Sequence, residues 1–270
     1  MRIRPIALFS PITPRFPITP RFPIALGCAL TGALGLLALP AVPAAASASV
    51  PAPVTTAKVK PPISVSSPVT DNPYGAKVTI AVTLGPTFSD RRVSLYAAPA
   101  GEARRLVAAG DVNAEGKWYP AYTITRATTF TAVFAGDAHD DPNRAGRTLT
   151  AYARVTDRVA GYYKTSQSGG GLVYYAFHGT DALALHSTVA PGKPGECLEP
   201  ETQQYDPGAG WNADTRYGCD QLDGKSHDTA PFALSRAVGT RYRIRGDYVR
   251  GTDTANLSAP GAWLYFIVTR

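Results

Sequence analysis

The sequence predicts an all-β protein: two antiparallel β-sandwiches in tandem, behind a leader and a short linker. Three observations predict it. Apolar and polar residues alternate with a period of two over short runs. Gly, Pro, Asn and Asp break these runs at intervals of roughly ten residues, the spacing of antiparallel strands and turns. Beyond the leader, no amphipathic helix of useful length can be read.

The leader comes first and sets the compartment. Residues 1–23 carry Arg2, Arg4, Arg15 and Arg21 with no acid, and Ile24 to Leu39 form an apolar stretch that Pro40 and Pro43 end. Small residues follow in Ala44-Ala45-Ala46-Ser47-Ala48, so residues 1–48 read as a secretory signal cleaved after Ala46 or Ala48. A retained anchor is the alternative, because the stretch approaches membrane-spanning length. Within the leader the hexapeptide ITPRFP at 12–17 recurs at 18–23 and carries no function. Cys28 lies at the start of the apolar stretch rather than near its end, which argues against lipid modification, and adjacent arginines are missing, which argues against a twin-arginine route. Without residues 1–48 the chain keeps 23 basic against 20 acidic side chains, a net charge of +3. Nucleic acid is not an expected partner at that balance. Once the signal is cleaved, no membrane association is expected either.

Residues 49–62 are rich in Pro, Ala and Thr without an apolar period and read as an extended linker. Residues 63–156 then supply about seven strands, the size and count of an immunoglobulin-like sandwich. Ser64 to Val69 opens it. Lys77 to Leu84 is the clearest strand, with Val78, Ile80, Val82 and Leu84 on the buried face. Arg92 to Ala98 turns Val93, Leu95 and Ala97 inward; Leu106 to Ala108 is a short partner ahead of the turn Asn113-Ala114-Glu115-Gly116. Thr128 to Ala135 buries Phe130, Ala132 and Phe134, and Thr148 to Val155 closes the unit with Leu149, Ala151, Ala153 and Val155 inward.

Residues 157–270 repeat the pattern as a second sandwich. Its strands are Tyr162 to Thr165, Leu172 to Phe177, Leu183 to Val189, Glu196 to Tyr205, Thr215 to Leu222, Pro231 to Leu234, Arg241 to Val249 and Trp263 to Val268. Pro191-Gly192, Pro207-Gly208 and Asp223-Gly224 are the turns. Leu234, Gly239 and Tyr242 are spaced like a corner where a sandwich tyrosine bonds back to upstream backbone. Cys197 and Cys219 remain as the two cysteines of the exported chain. They are expected to form a disulfide across a hairpin, since oxidising compartments favour pairing and no CxxC or HxxxH offers a zinc site.

The stretches NPYGAKVTIAVTL, DVNAEGKWYPAYTI and TTFTAVFAGD resemble the bacterial immunoglobulin-like repeats of secreted actinobacterial proteins. VAPGKPGECLE, YGCDQL and RYRIRGDYVRGTDTANLSAPGAWLYFIV are similar to the module that often ends such chains, and 20 arginines against 7 lysines suit a G+C-rich genome. The resemblance covers almost all of the chain after the leader. It implies a two-sandwich exported protein without an assigned enzymatic activity.

Sites of chemistry are few. None of His139, His178, His186 and His227 sits in HExxH, GxSxG or a comparable setting, so no catalytic residue is assigned and no cofactor is expected. A hydrolase with a dispersed Ser/His/Asp grouping is a distant alternative. The run Gly136 to Asn143 could offer calcium ligands through Asp137, Asp140 and Asp141, although it lacks the spacing of an EF-hand loop, and a self-bonded polar turn is the competing reading. Trp211, set among Gly208, Gly210 and Asn212, and Tyr205 are candidates for stacking on a sugar, against packing over the disulfide hairpin. Trp118-Tyr119 is expected to point one ring into the core, and Tyr162-Tyr163 and Tyr174-Tyr175 carry the same ambiguity. The expected role is extracellular binding or surface interaction with an unidentified protein or glycan; a carbohydrate- or wall-binding module is the alternative.

Overall fold

The computed structural model describes residues 57–168, 170–232 and 237–270. The leader with Cys28, the first part of the linker, and Leu234 of the expected tyrosine corner lie outside the described residues. Among the described residues there is no α-helix, and so none long and apolar enough to cross a membrane.

The first half contains β1 (Ile63–Ser66), β2 (Asp71–Asn72), β3 (Ala76–Thr79), β4 (Ala81–Leu84), β5 (Arg92–Pro99), β6 (Arg105–Asp111), β7 (Lys117–Trp118), β8 (Ala121–Ile124), β9 (Thr128–Phe134) and β10 (Asn143–Ala151). They form sheets in the orders β1-β4-β7, β3-β8 and β2-β10-β9-β5-β6. Every residue expected to face inward between Val78 and Ala151 is buried in one apolar cluster, with Phe130, Phe134 and Leu149 inaccessible. The single strand expected over Lys77 to Leu84 is divided between two sheets. Ile80 sits at the crossing and sends its N–H to the Pro120 carbonyl at 2.9 Å. Alternation runs through Ile80 unbroken, so one side stays buried while the hydrogen-bond partner changes.

The turn after β6 is built from its sequence. Asn113 Oδ1 accepts the N–H groups of Glu115 at 3.0 Å and Lys117 at 2.8 Å. Gly116 has φ +76°, and a Cβ there would lie 2.2 Å from the Leu84 carbonyl oxygen, so only glycine fits. The second half repeats the device: Asp223 Oδ1 accepts from Lys225 and His227, and Ser226 takes the left-handed position at φ 63°.

The second half contains β11 (Arg154–Ala160), β12 (Lys164–Gln167), β13 (Val173–His178), β14 (Leu183–Ala190), β15 (Cys197–Asp206), β16 (Gly210–Arg216), β17 (Asp220–Gln221), β18 (His227–Phe232), β19 (Arg241–Val249), β20 (Ala259–Pro260) and β21 (Leu264–Thr269). One sheet runs β11-β14-β18, an edge position that tolerates Pro231 in β18. The other has eight strands in the order β12-β13-β21-β19-β15-β16, with β17 on β15 and β20 on β19. Most pairs are antiparallel as expected, but β2 runs parallel to β10 and β13 parallel to β21. Between these two sheets lie Phe177, Leu185, Tyr242, Ile244 and Phe266 in one cluster, and Val189, Leu198, Leu222 and Tyr248 in another.

The expected strand Thr148 to Val155 is interrupted at Tyr152. Leu149 and Ala151 belong to the first core, whereas Ala153 and Val155 pack into the second. A loop from the second half fastens this crossing. Tyr152 bridges Leu257; Leu257 N–H donates to Ala151 O at 2.9 Å, and Ala153 N–H returns to Leu257 O at 3.0 Å. Buried Asn256 spreads its Nδ2 donors over the carbonyls of Thr125 (2.8 Å), Tyr152 (3.2 Å) and Ala151 (3.3 Å). The loop itself is held by Asp253, which accepts from the buried Lys193 ammonium at 2.5 Å and the Tyr248 hydroxyl at 2.8 Å. Burial works to raise the Asp253 carboxyl, but these donors outweigh it and hold the group below its ordinary range.

Candidate binding face

Strand β19 reads Arg241-Tyr242-Arg243-Ile244-Arg245-Gly246-Asp247-Tyr248. Period two sends Tyr242, Ile244 and Tyr248 into the core and sets Arg241, Arg243 and Arg245 on the opposite side of the sheet. Register brings aromatic rings to the same side. Tyr265 on β21 lies opposite Arg243, Tyr174 on β13 lies opposite Tyr265, and Trp211 on β16 lies opposite Tyr205 on β15.

The result is a layer of alternating rings and guanidinium groups. Arg243 lies between Trp211 at 5.0 Å and Trp263 at 4.2 Å, and Arg245 covers Trp263 at 4.3 Å. Trp211 meets Tyr205 edge-on at 5.2 Å and Tyr265 at 5.5 Å, while Tyr174 and Tyr265 are 5.8 Å apart. Such stacks combine ring-quadrupole attraction with apolar burial and hold the side chains in fixed orientations.

The three arginines differ in what they have left to give. Arg243 donates Nε to Gln203 Oε1 at 2.8 Å and a second N–H to the same oxygen. Arg245 donates twice to Glu201 Oε2, at 3.0 and 2.6 Å, and lies 3.0 Å from Asp247 Oδ1. Burial acts to raise Glu201, yet the hydrogen bonds and charge of Arg245 leave it below its usual range. Asp247 goes the other way. Burial raises it, Arg245 opposes, and the hydrogen bond and charge of Glu201 add to the rise, leaving the carboxyl at about 6. Arg241 is exposed, and its described contacts are the Tyr174 and Tyr205 rings at 5.8 and 6.0 Å. It opens on a cleft of about 620 Å³ lined by Gln204, Tyr205, Pro207, Val238, Gly239, Thr240 and Arg241.

The residues singled out in the sequence fall in several places. Cys197 and Cys219 are joined by a disulfide, 22 residues apart. Cys197 opens β15, and the return segment beginning at Cys219 pairs with it as β17. Tyr205 and Trp211 come together at the far end of β15, eight residues from the disulfide, about 26 Å at strand rise. Trp211 is therefore a half-buried strand residue resting on Tyr205, Tyr265 and Arg243, rather than a turn residue over the disulfide.

The acidic run is a turn held by amides. Asp137 Oδ1 accepts from His139 and Asp140, both at 2.9 Å, and its Oδ2 accepts from Ser89 at 2.9 Å and Asp90 at 3.1 Å. Desolvation acts to raise Asp137, and these N–H donors overcome it and hold the carboxyl far below its ordinary range. Buried Asp140 Oδ2 accepts from Phe88 N–H at 2.6 Å, and Asp141 is exposed. Among the described residues no cluster of three or more His, Cys, Asp or Glu is placed to hold a metal.

The histidines are dispersed. His139 packs on Phe88; His178 Nδ1 lies 3.1 Å from Asp181 Oδ2 with its ring stacked on Tyr163; His186 Nδ1 lies 2.9 Å from Thr229 Oγ1; His227 begins β18. Of the paired aromatics, Trp118 packs against the first core and Tyr119 is exposed; Tyr175 supports the second core, while Tyr174 joins the ring layer. Arg241, Arg243, Trp263 and Tyr265 join the layer without being candidates from sequence. Three arginines at alternate positions of one strand were the available signal.

No family model matches the chain, and no curated protein does. Solved structures similar to it include the tetra-tandem repeat in the extending region of a large adhesion protein, with TM-score 0.34 and 13% identity over 76% of this chain and 49% of that one. The fibronectin(III)-like modules of Clostridium thermocellum CbhA match with TM-score 0.27 and 12% identity over 77% and 94% of the two chains. The D0-D1 domain of Intimin matches with TM-score 0.26 and 10% identity over 76% and 97%. The present chain thus spans about half of the adhesion-protein repeat.

Proposed function

We propose that this chain is an exported, non-catalytic binding protein that meets an extracellular partner through the outer face of its eight-stranded sheet. In this reading residues 1–48 are a cleaved signal, 49–62 a linker, and 63–156 and 157–270 the two sandwiches, with the cores parting at Tyr152; a source among secreted actinobacterial proteins belongs to the same proposal. The observation that carries it is the layer formed by Tyr205, Trp211, Trp263 and Tyr265 with Arg241 and Arg243, backed by the buried ring of Tyr174. Rings and arginines are the side chains that dominate binding energy at interfaces, and here a rigid sheet orders them before any partner arrives. The disulfide fits an oxidising exterior.

A carbohydrate- or wall-binding role is the second reading, favoured by the cleft that Tyr205 lines together with the amide of Gln204 and the hydroxyl of Thr240. Sedimentation with peptidoglycan, chitin and cellulose, together with crosslinking in culture supernatant, tests both. Trp211→Ala with an unchanged β-sheet spectrum is expected to lower capture about tenfold, equivalent to ~1.4 kcal/mol. Capture of Trp211→Ala equal to that of the parent on every partner found overturns the assignment of this face.

A further inference from the structure

Resting on the reading of the outer face as the contact surface, we infer that the cleft at Arg241 and Tyr205 is a subsite for a carboxylate-bearing sugar, a hexuronate unit of an acidic polysaccharide. The argument starts from unequal use of three neighbouring cations. Arg243 is tied to Gln203 and enclosed by Trp211 and Trp263, and Arg245 is neutralised by Glu201 and Asp247. Arg241, two residues along the same strand, has no ion pair among the described residues and keeps only ring contacts, so its hydrogen-bond donors are open to a ligand. A planar guanidinium with free donors matches a carboxylate in bidentate geometry better than it matches a neutral hydroxyl.

The surroundings select a sugar as the carrier of that carboxylate. Tyr205 lines the cleft and is braced edge-on by Trp211, so its ring is a fixed apolar platform. Gln204 and Thr240 also line the cleft, where the strands end, and supply donors and acceptors for hydroxyl groups. The cleft, about 620 Å³, is within the size range of small-molecule sites. No acid lines it among the described residues. Asp206, next in sequence to Tyr205, is held in the turn through Oδ1, which accepts from Gly208 at 2.7 Å and Ala209 at 3.2 Å.

The test is calorimetry and affinity electrophoresis of the full chain against polygalacturonate, its methyl ester and dextran sulfate. The parent is expected to bind polygalacturonate and to lose at least about tenfold in affinity when the carboxylates are esterified or when Arg241 is replaced in Arg241→Gln, the loss of one charge-assisted pair. Tyr205→Ala is expected to weaken binding in the same assay. Arg250→Gln, an exposed arginine beyond the other end of β19, is the control and should bind like the parent. Equal binding of the methyl ester, an unaffected Arg241→Gln, or an equal loss in Arg250→Gln each overturns the inference, the last by reducing it to bulk charge; preference for dextran sulfate reassigns the anion and overturns it as well. If polygalacturonate fails while Trp211→Ala still lowers capture on another partner, this inference falls and the binding face stands. If neither Trp211→Ala nor Arg241→Gln changes any capture, both fall.

Discussion

Replacing Asn256 by alanine removes a single side chain that serves three carbonyls at the crossing between the two cores. The amide has two hydrogens for Thr125, Tyr152 and Ala151, so at most about two full hydrogen bonds are lost, roughly 1 kcal/mol each, with a further 1–3 kcal/mol for any carbonyl left dry. Two features hold the cost to the lower part of that range. Ala151 O keeps the Leu257 N–H, and the Asn256 Oδ1 is buried without a partner, so its removal relieves a desolvation cost. The expected loss is therefore about 2 kcal/mol. Denaturant titration can read both the size and the place of the effect. Tryptophan fluorescence of a Trp118→Phe background reports Trp211 and Trp263, both in the second half, while far-ultraviolet circular dichroism reports all sheets. Coincident transitions are expected for the parent. Asn256→Ala is expected to shift the midpoint and separate the two probes, because the loop fastens the crossing between the cores by hydrogen bonds to Thr125, Ala151 and Tyr152. A change within about 0.5 kcal/mol, with transitions still coincident, refutes the reasoning.

Removing the disulfide in a Cys197→Ser, Cys219→Ser double variant frees a segment of 22 residues and is expected to cost about 3 kcal/mol by chain entropy, measured by the same titration. Asp247 gives a pH signature. Its folded carboxyl is raised from 3.8 to about 6, so folding favours the protonated form; the stability it contributes is complete below about pH 4 and is lost as pH rises through 6. Asp247→Asn is thus expected to flatten the decline between pH 4.5 and 6.5 relative to the parent, and an unchanged slope in thermal melts refutes that role. Glu201, lowered below its ordinary value, contributes in the opposite sense and loses its stabilisation at the acid end, below this window.

Period-two alternation made the cores legible: Val78, Ile80, Val82 and Leu84 are all buried where the pattern placed them. It could not show that the sheet changes at Ile80, because a strand that switches partners keeps its inward side. Nor did it locate β16. Gly208, Gly210 and Asn212 read as a loop around Trp211, yet only Pro207 to Ala209 form the turn, and pairing with β15 carries the rest. The HDTA segment of β18 was missed for the same reason, polar residues at an edge needing no apolar period. The ring layer was least visible. Tyr174, Tyr205, Trp211, Arg243 and Tyr265 come from five strands, and only register brings them together.

Strand β21 lies between β13 and β19, third from the β12 edge of the largest sheet, and it follows every other strand of that sheet in chain order. Until residues 264–269 leave the ribosome, β12 and β13 have no bridge to the strands carrying Arg241, Tyr205 and Trp211. The nascent second half must therefore wait with two sheet fragments unjoined, whereas the strands of the first half are all present as soon as β10 emerges, and only its carbonyls at Thr125, Ala151 and Tyr152 wait for Asn256. Synthesis order alone gives the two halves different windows of exposure to holding chaperones.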